Sequence, residues 1–286
     1  MRYERPDTIQ AATALLAGAE AKSFVLAGGT DLLVRMQNDD FEADLIVDIK
    51  AISGMAKVTE TDDGFVIGAG VPSVALFEDT ALAAAWPGVV EAANLIGSTQ
   101  IQGRCTIVGN LCNASPAADS VPALVAAGAV AQVAGPSGTR DVAVIDIPTG
   151  PGKTSLAKGE IIQAILLPKP NARTGDAYLR FIPRTEMDIA VVGVAVNLTL
   201  NEDGTVIAAR VALGAVGPKV ILVDTAAKAV IGSKLEDVVL QALSESCSAA
   251  CTPLNDKRGT VAFRTQVAGV LARRAAQTAY TRAGGK

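Results

Sequence analysis

Two glycine-bearing turns, far apart in the chain, constrain this sequence more than any other feature. They are Val25-Leu26-Ala27-Gly28-Gly29-Thr30-Asp31-Leu32-Leu33 and Thr106-Ile107-Val108-Gly109-Asn110-Leu111-Cys112-Asn113-Ala114-Ser115-Pro116-Ala117-Ala118-Asp119. Each breaks an apolar stretch with small residues and hydroxyl or amide side chains, which a backbone needs if its N–H groups are to approach a phosphate closely. In the first, Gly28 and Gly29 permit positive φ and near contact, and Thr30 adds a hydroxyl at a helix start. In the second, Thr106, Gly109 and Asn110 offer a hydroxyl, bare backbone and an amide. Together they point to a diphosphate held between two loops. Alone, Gly28-Gly29-Thr30-Asp31 serves equally as a tight strand-to-helix turn, because no G-x-G-x-x-G fingerprint accompanies it. Asp119 reads either as a charge favourable to a helix dipole or as an acceptor for a ligand's ribityl or ribose hydroxyls.

Composition removes several function classes. The chain has 286 residues, half of them hydrophobic, enough for two or three subdomains each with a core. A net charge of −4 and the lack of any Lys or Arg run give no field to attract nucleic acid. There is no histidine, which excludes Ser-His and Cys-His dyads and the commonest metal ligand. Cys105, Cys112, Cys247 and Cys251 have spacings that fit neither zinc sites nor common iron–sulfur runs, so they read as inert thiols in a reducing compartment. The charged start Met1-Arg2-Tyr3-Glu4-Arg5-Pro6 lacks the apolar core of a signal peptide. The apolar run Ile189 to Leu200 is too short to span a bilayer, so a cytoplasmic protein is expected.

The periodicity predicts a helix over 6–20, strands over 23–26 and 45–49, and a helix over 32–38 between them, placing the first turn at the C-terminal end of a strand. A strand at 65–67, a helix over 81–96 broken at Trp86-Pro87, a helix over 121–127 and strands over 129–133, 142–145 and 161–167 follow. Beyond a boundary near 175, strands are expected over 177–182, 190–200 and 205–216, the last two joined by a hairpin at Asn201-Glu202-Asp203-Gly204. Helices over 222–231, 235–250 and 259–282 complete the chain, the last with Val261, Thr265, Ala268, Leu271 and Ala272 on one face and Arg264, Arg273 and Arg274 toward solvent.

Further matches join the two turns: Tyr3 to Pro6, Ile96-Gly97 with Gln100-Ile101, Asp188-Ile189-Ala190, and Asp256-Lys257-Arg258-Gly259 followed by Phe263-Arg264 and Arg273-Arg274-Ala275. In this order they resemble, over essentially the whole length, the FAD-binding medium subunits of the molybdenum hydroxylase family. The resemblance implies an α+β chain: a two-subdomain FAD-binding fold of the vanillyl-alcohol-oxidase (PCMH) type over 1–57 and 58–175, then a family-specific C-terminal domain of a small sheet plus helices over 176–286. It implies that Ala27, Gly28, Gly29, Thr30, Asp31 and Leu32, with Thr106, Ile107, Val108, Gly109 and Asn110, wrap the FAD diphosphate. Asp119 would bind the hydroxylated chain, Ile96 would lie near the isoalloxazine, and Ile162 and Arg180 would contact FAD. The link would be non-covalent.

The family usually has Arg at 102, Gly at 105 and Gly-Gly at 108 and 109, where this chain has Gln102, Cys105, Val108 and Gly109. A β-branched residue resists positive φ, so an extended backbone is expected at Val108 and a spacer role for Cys105. No residue looks like a base for substrate chemistry, and an electron-transfer flavoprotein needs none. The resemblance implies partners: a large molybdenum-cofactor subunit that hydroxylates the substrate and a small subunit with two [2Fe–2S] clusters, together forming a dimer of heterotrimers. Electrons would leave through FAD to NAD+, a quinone or another acceptor. Thr30-Asp31 leans toward relatives acting on purines, other N-heterocycles or aldehydes. The alternatives are a self-contained flavin oxidase or reductase and a scaffold subunit that has lost FAD.

Overall fold

A computed structural model of the chain describes residues 1–20 and 22–285. The first sheet is parallel, with β1 (Arg2–Glu4) and β2 (Ser23–Leu26) on either side of the central β3 (Leu45–Asp48). Helix α1 (Ile9–Gly18) and helix α2 (Leu32–Gln37) connect these strands. Helix α1 begins three residues later than the sequence pattern suggests. Its N-cap is Thr8, whose hydroxyl accepts from the Ala11 N–H at 3.3 Å. Strand β1 is short and charged, and no alternation betrays it; it exists because β3 offers a free backbone edge.

A five-stranded antiparallel sheet follows, built from β4 (Val58–Thr61), β5 (Gly64–Gly68), β6 (Val130–Gly135), β7 (Gly138–Ala143) and β10 (Ile161–Pro168). Strand β10 is its centre, pairing with β5 and β6. The small hairpin β8 (Pro148–Gly150) and β9 (Lys153–Thr154) lies between β7 and β10. Six helices sit between β5 and β6: α3 (Ser73–Glu78), α4 (Thr80–Ala85), α5 (Pro87–Asn94), α6 (Thr99–Gln102), α7 (Ile107–Cys112) and α8 (Ser120–Ala127). Every residue of α8 is buried, and Gly128 closes it in the left-handed conformation at φ 75°. The strand expected over 142–145 instead spans 138–143: it begins earlier, opposite β6, and ends at Ala143 because residues 144–146 turn into a 3-10 helix.

The last sheet is antiparallel in the order β11 (Thr174–Phe181), β12 (Val192–Leu200), β13 (Val206–Gly214) and β14 (Ile221–Leu222). Helices α9 (Asp224–Val230), α10 (Asp237–Ala249) and α11 (Val261–Arg282) back it. Helix α11 buries Ala268, Ala272, Ala275, Ala276 and Ala279, side chains small enough to bring its backbone close to the sheet. A Cβ on Gly175 would lie 2.3 Å from the Ala279 carbonyl oxygen, so glycine is required there. Arg264 departs from expectation. It is 6 % exposed rather than solvent-facing, donates to the Val191 carbonyl at 2.7 Å and holds Asp256 through two bonds of 2.8 Å.

Strand β11 ties the halves together. Strand side chains alternate, so Asp176, Tyr178 and Arg180 share one face. All three reach the preceding half of the chain. Asp176 accepts from the N–H groups of Gly88 and Val89 at 3.0 Å each, at the start of α5. Arg282, near the end of α11, bonds the Asp176 carbonyl at 2.8 Å and pairs with Glu91 of α5. Burial pushes the Asp176 carboxyl up to about 6, against the two N–H bonds and Arg282, which favour its charge. The folded chain therefore holds this proton more tightly than the unfolded chain. The resulting stability is complete below about pH 4 and is lost as the pH rises through about 6. Urea unfolding from pH 4 to 7 is expected to show stability falling across this window, and Asp176→Asn is expected to flatten part of that fall.

Candidate functional site

The two turns meet in space. Between them lies a cleft of about 310 Å³ lined by Ala27, Gly28, Gly29, Thr30, Asp31, Leu32, Ile96, Thr106, Val108, Gly109, Asn110 and Ile162, all anticipated from the sequence. The structure adds Phe24, Arg35, Ile49, Cys105, Asn113 and Leu156 among its walls. Cys105 and Asn113 flank or belong to the second turn, whereas Phe24, Arg35, Ile49 and Leu156 carry no local signal and arrive because β2, α2, the end of β3 and the segment before β10 border the loops.

Gly28 and Gly29 are needed for different reasons. Gly28 packs against the other loop: a Cβ there would stand 2.0 Å from the Arg104 carbonyl oxygen and 3.1 Å from the Cys105 Cα. Gly29 adopts φ 80°, a left-handed conformation that L side chains resist. Together they let the first loop lie against the second with its amides free. Among the described residues, the N–H groups of Gly28, Gly29, Thr30 and Asp31 have no protein acceptor. Arg35 is the one basic side chain in the lining. Of the two acids in the lining, Glu160 is offset by a two-bond pair with Arg140 at 2.8 Å, and Asp31, whose pKa burial raises, accepts from the Asn113 side-chain amide at 3.4 Å. An anion here would therefore be held chiefly by amides and hydroxyls.

The second turn is helical where an extended backbone was expected. Thr106 caps α7, its Oγ1 accepting from the Gly109 N–H at 2.9 Å. Val108 lies in the first turn of this helix, where φ is negative and a β-branched side chain is tolerated. Its side chain is 5 % exposed, packs into the main core and still borders the cleft. Gly109 faces outward; a Cβ there would meet only Thr106 Oγ1, at 3.0 Å. Asn110, a lining residue, accepts through its Oδ1 from the Ser120 hydroxyl at 2.7 Å and the Ser120 N–H at 3.3 Å, which anchors α8 and leaves its amino group without a protein acceptor among the described residues. Thr106→Ala is expected to cost about 1 kcal/mol of stability, read by urea unfolding, because it removes the α7 cap.

Three expected site residues do not line this cleft. The Ile107 side chain is 1 % exposed within the core. Asp119 and Arg180 form a buried pair at 2.6 Å behind the cleft, and Tyr178 donates to the same carboxylate at 3.0 Å. Arg180 also donates to the Leu95 carbonyl at 2.9 Å, next to the cleft residue Ile96. Asp119 thus does not cap α8 with its side chain. Burial pushes its carboxyl up to about 6, against the pull of Arg180 and Tyr178. Cys105 is a wall residue and more than a spacer: its thiol lies 3.0 Å from the Ser73 hydroxyl, and burial raises its pKa.

Comparisons with known proteins agree with this geometry. Residues 1–170 match the FAD binding domain in molybdopterin dehydrogenase, and residues 177–279 match the CO dehydrogenase flavoprotein C-terminal domain. The chain is 31 % identical to the xanthine dehydrogenase FAD-binding subunit of Escherichia coli O157:H7, covering 99 % of this chain and 97 % of that one. It is 33 % identical to the carbon monoxide dehydrogenase medium chain of Afipia carboxidovorans, covering 98 % and 97 %. The solved structure of reconstituted CO dehydrogenase from Oligotropha carboxidovorans superposes with a TM-score of 0.94 at 32 % identity, over 99 % of this chain and 98 % of that chain. No helix among the described residues is long and apolar enough to cross a membrane. With both sequence modules, the fold and an amide-lined cleft in agreement, the chain belongs to the FAD-binding subunit family of the molybdenum hydroxylases, which are oxidoreductases.

Proposed function

We propose that this chain is the FAD-binding electron-transfer subunit of a multi-subunit molybdenum hydroxylase, with the cofactor's diphosphate in the cleft between Ala27–Leu32 and Thr106–Asn110. One observation carries the placement: the run of N–H groups from Gly28 to Asp31 that has no protein acceptor and borders the cleft. A cleft that presents amides, hydroxyls and a single arginine, with glycines where a Cβ would force the loops apart, fits a diphosphate. Bound FAD supplies the redox chemistry of its isoalloxazine.

The residues of this chain bind, orient and shield. Thr30 and Thr106 offer hydroxyls and Asn110 its amino group, while Ile49, Ile96, Leu156 and Ile162 give apolar walls for a planar ring. Asp119 and Arg180 act from behind by holding the Leu95 carbonyl, and so the position of Ile96. The partition into 1–57, 58–175 and 176–286 belongs to the same proposal, as does a cytoplasmic location. In the assembly, a large molybdenum-cofactor subunit hydroxylates a purine, other N-heterocycle or aldehyde, and a small subunit with two [2Fe–2S] clusters relays the electrons. This chain passes them to NAD+, a quinone or another acceptor, within a dimer of heterotrimers. The relatives' names, FAD-binding subunit and medium chain, support a place among several chains.

The test is a visible spectrum of the protein with whatever copurifies, repeated on the isolated chain before and after acid release of its cofactor. Free FAD released from this polypeptide is the expected result. A colourless chain that takes up no added FAD would overturn the proposal, and turnover by the isolated monomer would replace it with a self-contained flavoenzyme.

A further inference from the structure

Beneath the first loop lies a brace that neither turn motif includes. Asp48 ends β3 directly beside Leu26, the last residue of β2, and is 4 % exposed. Its Oδ2 accepts from the Tyr3 hydroxyl at 2.6 Å, and its Oδ1 accepts from the Lys50 N–H at 3.0 Å and the Lys50 ammonium at 2.8 Å. Burial alone would raise the Asp48 pKa, but the bonds from Lys50 and Tyr3 hold it below the ordinary carboxylate range. The ammonium, fixed in this way, donates a further bond of 3.0 Å to the carbonyl oxygen of Ala27.

That last bond fixes the orientation of the peptide that opens the loop. In a planar trans peptide the C=O and the following N–H point in opposite directions. Lys50 is not part of the cleft wall, whereas Ala27 and Gly28 are. With the Ala27 oxygen drawn to Lys50, the Gly28 N–H faces the other way and stays without a protein acceptor. The peptide precedes a glycine, whose φ is unrestrained by a Cβ, so without the brace it can flip. A flipped peptide would present a carbonyl oxygen where an anion is to bind.

We propose that Lys50 is a positioning residue for the cofactor diphosphate, a latch that keeps the Ala27–Gly28 peptide with its N–H toward the cleft. Asp48 and Tyr3 set the latch, and the ligand class it serves is a dinucleotide diphosphate. The inference rests on the cleft being the FAD site.

The experiment is FAD titration of the full-length apoprotein, followed by flavin fluorescence, for the unaltered chain, Lys50→Met and Lys50→Arg. Lys50→Met is expected to weaken FAD binding by about tenfold, the range of one charge-assisted hydrogen bond. The apoprotein is expected to melt within about 3 °C of the unaltered one, because the buried Asp48 carboxylate keeps its bonds from the Tyr3 hydroxyl and the Lys50 backbone N–H, and the Lys50 side chain that is lost is 32 % exposed. Lys50→Arg, which keeps a cationic donor, is expected to restore most of the affinity. FAD binding by Lys50→Met within twofold of the unaltered chain would overturn the latch, as would a loss of affinity matched by a large fall in apoprotein melting temperature. If the unaltered apoprotein itself takes up no FAD, the reading of the cleft fails, a result distinct from failure of the latch.

Discussion

Gly28→Val is expected to yield a colourless protein whose affinity for added FAD is at least about 100-fold weaker, a loss near 3 kcal/mol. The Cβ would stand 2.0 Å from the Arg104 carbonyl oxygen and 2.8 Å from its carbon. Both are backbone atoms, so no side-chain rotamer can relieve the collision, and the loops must separate. Separation disperses the N–H groups from Gly28 to Asp31, which serve one ligand only when held together. Gly109→Ala is the informative contrast, since its Cβ would meet only a hydroxyl at 3.0 Å and no facing backbone. It is expected to leave the melting temperature nearly unchanged while weakening FAD through its exposed position on the cleft. A yellow Gly28→Val protein with ordinary affinity would show that the loops do not grip the cofactor.

Arg180→Met is expected to lower stability by about 3–5 kcal/mol at pH 7, the usual cost of breaking a buried pair from one side. The two side chains are 6 % and 10 % exposed, so water cannot replace the lost partner, and the Leu95 carbonyl loses its donor as well. Asp119, whose pKa burial already raises to about 6, would rise further without the guanidinium and take a proton. The deficit is therefore expected to shrink as the pH falls from 7 to 5. Urea unfolding at both values checks the sign. Adding Asp119→Asn to Arg180→Met is expected to recover part of the loss at pH 7, because the stranded charge is gone. A pH-independent deficit would refute this account.

The two glycine turns were legible because their function is local: small residues and hydroxyls in a short run declare a backbone open to a ligand. The strands of the last sheet were legible too, since β12 and β13 flank a turn whose Asn201 Oδ1 accepts from the Thr205 N–H at 2.8 Å. What stayed hidden depends on contacts between distant segments. Val108 looked like an obstacle because its β-branch resists positive φ, yet the helix that begins at Thr106 makes no such demand on it. Arg264 looked solvent-facing on a helical projection of charged residues. Its burial comes from the Val191 and Ala215 carbonyls, which no pattern within α11 reveals. The resemblance matched Asp119 and Arg180 to the cofactor, and no pattern in the sequence reveals that the fold also sets them against each other and against Leu95.

The face of β11 that carries Asp176, Tyr178 and Arg180 has a consequence for how the molecule can fold and evolve. Family resemblance divides the chain into two modules, 1–170 and 177–279, as though each were a separable building block. Physically, the first module ended at 170 would keep the helix start at Gly88 and Val89 without its acceptor and Asp119 without either donor. The seam is thus a shared interior rather than a joint, and the two modules are expected to unfold as one cooperative unit. Exchange of the C-terminal module between relatives would have to carry those three alternating side chains with it, or evolve their substitutes on both sides at once.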